Sequence, residues 1–144
     1  MIRYGLSVVT VICCSFGFAL AQDDASKKDL AKLQGVWRFE SMEGGLGDAK
    51  AFKDLKLTFK GNTASHAGAG GKTEEATFKL DATKKPKHID FMPLSEPGKG
   101  KTMKGIYDID GDTLKICGAG ENEERPTEFR PTKKISVIIL KREK

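Results

Sequence analysis

Large apolar and polar side chains alternate with a period of two along most of the chain after residue 34. This limits the fold more than any other feature. Trp37 and Phe39 alternate with Arg38 and Glu40, and Leu55, Leu57 and Phe59 with Lys56, Thr58 and Lys60. Ala76, Phe78 and Leu80 alternate with Glu75, Thr77 and Lys79, and Ile89 and Phe91 with His88 and Asp90. Successive side chains of a strand point to opposite faces, so each segment predicts a strand with one core face and one wet face. A parallel α/β sheet would read as continuous apolar runs separated by long helices, and the sequence has neither. Residues 63–67 predict a further short strand, and residues 125–129 another with Pro126 at its edge. The last strand, over 135–142, is apolar on both faces: Val137 and Ile139 on one, Ile138 and Leu140 on the other.

Asp110-Gly111 is a strong two-residue hairpin signal, because glycine and aspartate tolerate the positive φ values such turns need. A turn closed there pairs Ile109 with Asp112, Tyr107 with Leu114 and Gly105 with Ile116. Tyr107, Leu114 and Ile116 then share the core face, Asp108, Thr113 and Lys115 face outward, and Cys117 falls on the outer face. Eight to nine short strands with one apolar face must pack on another layer or close on themselves. Closure removes exposed edges, and short consecutive connections favour an up-and-down barrel over a Greek-key sandwich. The expected fold is therefore all-β, a small antiparallel barrel with a short N-terminal helix. That helix is predicted over 26–33, with Ser26 as cap, Asp29 in the first turn, Leu30 and Leu33 on one face, and Gly35 as the stop. It is too short to stand alone, and the outside of the last strand is the surface it is expected to cover. Gly44-Gly45 and residues 68–71 read as loops or rims.

Residues 1–21 form a separate unit. Arg3 supplies a positive start, residues 5–20 carry no charge, and Ala19-Leu20-Ala21 puts small residues where a signal peptidase reads. The apolar run is broken by Gly5, Ser7, Ser15 and Gly17, so a signal peptide is expected there rather than a span of about 20 residues. The expected organisation is a signal peptide at 1–21, a helical lead-in at 22–34 and a barrel domain at 35–144. The expected location is extracytoplasmic, periplasmic or secreted, with no transmembrane span after cleavage. Of three cysteines, Cys117 alone would remain, so no internal disulfide forms. The thiol is either buried or available for pairing between chains; a monomer is the expected state.

Leu33-Gln34-Gly35-Val36-Trp37 resembles the entry to a lipocalin-type barrel, where a short helix runs into a strand through Gly-x-Trp. Several pieces taken together resemble a family of small, uncharacterised exported domains known mainly from planctomycete bacteria. They are Leu33-x-Gly35-x-Trp37; Thr77-Phe78-Lys79-Leu80-Asp81 leading to Ile89-Asp90; and Gly100-Lys101-Thr102 leading to Gly105-Ile106-Tyr107. Asp110-Gly111-Asp112 leading to Cys117, and Arg125-Pro126-Thr127-Glu128-Phe129, complete the series. The resemblance implies an add-on binding or structural unit and assigns no activity. The lipocalin likeness further implies that Trp37 plugs one barrel end, with Lys141 or Arg142 from the last strand lying over its ring.

No convincing catalytic constellation is present, and an enzyme is not expected. Gly71-Lys72-Thr73 and Gly100-Lys101-Thr102 mimic a phosphate loop, but His66 and Ser95 stand where its first glycine belongs, and strand pattern follows. Asp108, Asp110 and Asp112 lack the glycine position and the closing Glu of a calcium loop. His66, His88 and Cys117 are scattered singly, so neither a metal nor another cofactor is expected. With 25 Lys+Arg against 20 Asp+Glu the net charge is +5. Lys84, Lys85, Lys87, Lys99, Lys101 and Lys104 could steer the protein to anionic envelope components. The nearby Phe91 and Tyr107 point inward, so no stacking platform for nucleic acid is offered. Phe39, Phe59, Phe78, Phe91 and Tyr107 are the candidate wall of a barrel site for a small apolar or amphipathic ligand. An eight-stranded barrel is also narrow enough for these rings simply to fill it. The alternative function is a non-catalytic structural or protein-interaction module of the cell envelope.

Overall fold

A computed structural model describes residues 23–45, 47–67 and 71–144; the expected signal peptide at 1–21 lies outside them. A helix α1 (Asp24–Leu33) leads into eight strands: β1 (Gly35–Glu43), β2 (Lys56–Lys60), β3 (Thr63–Ala67), β4 (Thr73–Asp81), β5 (Lys87–Pro93), β6 (Met103–Asp110), β7 (Thr113–Ala119) and β8 (Ile135–Arg142). Each strand pairs antiparallel with its sequence neighbour, and β8 returns to β1, closing the barrel. The alternation read from the sequence is the physical cause. Every strand places one row of apolar residues inside, and only closure lets all the rows meet while leaving no free edge.

The register differs from expectation in two places. The β6–β7 turn is Gly111-Asp112, so Asp110 pairs with Thr113, Ile109 with Leu114 and Tyr107 with Ile116. Gly111, at φ 58°, takes the first turn position. The slide moves each partner by two residues, so Tyr107, Leu114 and Ile116 keep the inner face and Cys117 the outer one. In β1 the pairing with β8 jumps from Phe39–Leu140 to Ser41–Ile139. Glu40 is the extra residue of a bulge, which lets both Phe39 and Met42 oppose inward residues of β8.

The helix begins earlier than predicted. Asp23 is the cap, accepting from Ser26 N at 2.8 Å, while the Ser26 hydroxyl donates to Asp23 Oδ2 at 2.6 Å and accepts from Ala82 N at 2.9 Å. Aspartate and serine are comparable caps, and here the hydroxyl of Ser26 is engaged with Asp23 and Ala82, so that Asp23 takes the capping position. The helix does not cover β8 from outside. It seals the barrel end where Leu33, Trp37 and Tyr107 are buried.

What covers β8 is the connection from β7, residues 120–134, which lies along the outside of β6, β7 and β8. The strand expected at 125–129 is absent, and the segment forms an irregular belt instead. Arg125 pins it, donating to the Gly105 carbonyl at 2.8 Å and pairing with Asp90 at 2.6 Å. Beneath the belt Ile106, Cys117 and Val137 form a second core with Phe129, Ile135 and Ile139. This accounts for the apolar outer face of β8. The belt is tied at its far end to Gly44-Gly45, whose Cβ atoms would collide with the carbonyls of Ile135 and Lys133. Gly45 N also donates to Thr132 O at 2.9 Å, so this pair is a fixed corner, not the loose rim that its composition suggested.

Cys117 is fully buried, its sulfur 3.6 Å from the Glu128 carbonyl, and burial pushes the thiol up from its ordinary range. It should therefore resist alkylation in the native protein. Arg125→Ala should unpin the belt and raise the labelling rate of Cys117 at least about tenfold, since local opening rather than global unfolding then exposes it. Peptide-resolved mass spectrometry after timed iodoacetamide treatment checks this; an unchanged rate would mean the belt is held elsewhere.

Candidate functional site

The two ends of the barrel are built differently. At the closed end Trp37 is fully buried, and its Nε1 donates to the Leu33 carbonyl at 2.8 Å, which ties the ring to the last turn of α1. The guanidinium of Arg142 lies over the indole at 4.2 Å. It donates from Nη1 to the Gln34 carbonyl at 2.9 Å and from Nη2 to the Lys32 carbonyl. One arginine thus stacks on the plug and caps the helix C-terminus, for which a planar fork is well suited. Gly35, at φ +114°, makes the sharp entry into β1 directly beneath that guanidinium. Lys141 points elsewhere, donating to Thr113 Oγ1 at 2.7 Å with Glu40 3.7 Å away.

Beside the plug sits a buried polar group. Asp29, 3% exposed, accepts from Lys87 Nζ at 2.7 Å and from the Tyr107 hydroxyl at 2.9 Å through the same oxygen. Burial alone would push this carboxyl up. The hydrogen bonds from Lys87 and Tyr107 and the charges of Lys87 and Lys32 outweigh it, leaving the group below its ordinary value. Burial and the adjacent carboxylate together drive the Tyr107 hydroxyl far upward. Both effects suit a latch between helix and barrel rather than a proton-transfer site.

Toward the other end the interior opens into a cavity of about 480 Å³, within the range of small-molecule sites. Beneath it lies the packed aromatic layer, with Phe59 and Phe78 edge-to-face at 5.2 Å in the core and Phe91, 6.1 Å from Phe78, reaching the cavity wall. Above that layer the inward positions carry small residues: Ala64 on β3, Ala76 on β4, Gly118 on β7 and Ser136 on β8, all lining the space. A Cβ built at Gly118 meets no heavy atom within 4 Å. Phe52 and Leu55 from the β1–β2 connection and residues 95–98 of the β5–β6 loop frame the mouth. The wall is apolar apart from a few groups. Foremost is a pair on β3 and β4, where His66 and Glu74 are register partners with Nε2 and Oε2 3.2 Å apart.

Of the five candidate wall residues, Phe91 lines this cavity. Phe59, Phe78 and Tyr107 are 1–3% exposed and belong to the packed core, and Phe39 packs against Phe52 at 6.1 Å. Large rings fill the barrel where they cluster, and space is left where side chains are missing. The wall is therefore set by alanines, glycine and serine, which no search for aromatic residues would find. In the sequence His66 stands among singly scattered histidines, and nothing there links it to Glu74. Their cross-strand spacing requires the β3–β4 register.

Among the described residues no three His, Cys, Asp or Glu side chains gather as a metal site, and no helix is long and apolar enough to cross a membrane. Fold and site define a small closed antiparallel barrel with one sealed end and one open, apolar end. Compared with known proteins, the sequence matches no family model and no curated protein.

Proposed function

We propose that the barrel is a non-catalytic carrier or receptor for a small apolar or amphipathic molecule, held in the cavity at its open end. The observation supporting this is the combination of a packed aromatic core layer with an emptied layer above it, where Ala64, Ala76, Gly118 and Ser136 stand in place of the large side chains that would make the interior solid. A barrel whose only task was to fold would gain by filling that space, since each unfilled methyl-sized void costs about 1 kcal/mol. The compartment proposed is extracytoplasmic, supported by the composition of residues 1–21 alone. Membership of the planctomycete-type exported family is likewise proposed, on the motifs quoted above.

Gly118 offers the sharpest test. Gly118→Phe should project into open space from an unstrained strand position, fold as the parent does, and block the cavity. The parent should enhance Nile red fluorescence at micromolar protein, and decanol should displace the dye. The variant should bind it at least about tenfold more weakly. Native mass spectrometry of protein purified without denaturation should show a co-purifying small mass in the parent only. Absence of dye binding in the parent, or equal binding by both proteins, would transfer the assignment to an envelope interaction module.

A further inference from the structure

Resting on that reading, we infer that the ligand is an amphiphile with a cationic head group, an alkylammonium rather than a fatty-acid anion. The carboxylates bordering the cavity are Glu74, on the inward row of β4, and Glu96 and Glu121 at the rim. Against them stand His66 and, through a bridge at 2.5 Å to Glu121, Lys101. The lining therefore keeps an excess of negative charge whether or not His66 carries a proton. This runs against the whole chain, whose net charge is +5, so the local sign is not a consequence of composition.

The placement of the groups strengthens the inference. Glu74 is opposite His66, which also lines the cavity, and just beyond the apolar wall of Ala64 and Ala76. Lys104 stands on the outward row of β6, and its cross-strand partner Asp90 is itself paired with Arg125; Lys104 and Glu75, both on outward rows at the edge of the cavity, offset one another. Among the described residues no cation lies within ion-pair distance of Glu96. An alkyl chain lying on Phe91, Ile116 and Ile138 would bring its head group to this rim. There an anion would lose hydration and meet like charge, whereas an ammonium would meet carboxylates and hydrogen-bond acceptors.

The test is displacement of Nile red from the full chain by decylammonium, decanol and decanoate at pH 7.5 and low ionic strength. Decylammonium should displace the dye at concentrations at least about tenfold below decanoate, and added salt should shrink the gap. The Glu74→Gln, Glu96→Gln double variant should lose most of this preference while its response to decanol stays the same. Equal or better displacement by decanoate, or an unchanged ratio in the double variant, would overturn the cationic assignment and leave the cavity intact. Failure of decanol itself to displace the dye would overturn the ligand-binding reading, and this inference with it.

Discussion

Trp37→Ala should destabilise the protein by about 3–5 kcal/mol, the usual loss for a buried large aromatic. Several contacts converge on this ring. It fills the taper of the barrel at zero exposure, donates to the Leu33 carbonyl, and supports the guanidinium of Arg142. Truncation would leave a cavity, free a helix-end carbonyl, and remove the face on which Arg142 stacks while it holds the carbonyls of Lys32 and Gln34. Trp37→Phe, which keeps most of the apolar volume but no donor, should lose about 1–2 kcal/mol. Urea melts followed by circular dichroism check both values, since removal of the only tryptophan takes away the fluorescence signal. A loss below about 1 kcal/mol for Trp37→Ala would mean that the helix and the remaining core close the end without it.

The second large effect is expected at Asp29. Removing one partner of a fully buried charge pair costs about 3–5 kcal/mol. Here the Lys87 side chain is 36% exposed and can turn to water, which reduces its share. The Tyr107 hydroxyl, on a residue 1% exposed, would be left without its acceptor, at about 1–3 kcal/mol. Asp29→Ala should therefore lose about 2–4 kcal/mol. The pH dependence follows from the direction of the carboxyl shift. Its folded value lies below the unfolded one, so its stabilisation is complete above the unfolded value of about 3.9 and is lost as pH falls through the folded value. The parent should weaken through this contact only below about pH 4, and Asp29→Asn should show a shallower acid transition in melts taken from pH 6 to pH 2.5. An identical acid profile for parent and Asp29→Asn would show that other carboxylates govern it.

The closed barrel was legible because its cause is local: alternation fixes each strand's inner face, and that survives a slide of two residues in the β6–β7 hairpin. The belt was not, because residues 120–134 have no periodicity and are held by Arg125, Phe129 and the tie from Gly45 to Thr132 against a surface that exists only after folding. The Glu40 bulge was hidden for a related reason, since only the pairing with β8 reveals the extra residue. The cavity was the least legible. Phe59, Phe78 and Tyr107 announce themselves in a sequence, whereas the significance of Ala64, Ala76, Gly118 and Ser136 depends on their lying at one height in four strands. That height is set by the barrel's stagger, which no single strand encodes.

The sealed end gathers the tryptophan, the stacked arginine and the buried aspartate, while the open end is built from small side chains and rim loops. Substitutions at the mouth consequently disturb few of the contacts that hold the sheet shut. A barrel divided in this way lets selection retune what enters it without renegotiating whether it folds. Relatives that share the plug could therefore be expected to differ most in the lining of their mouths.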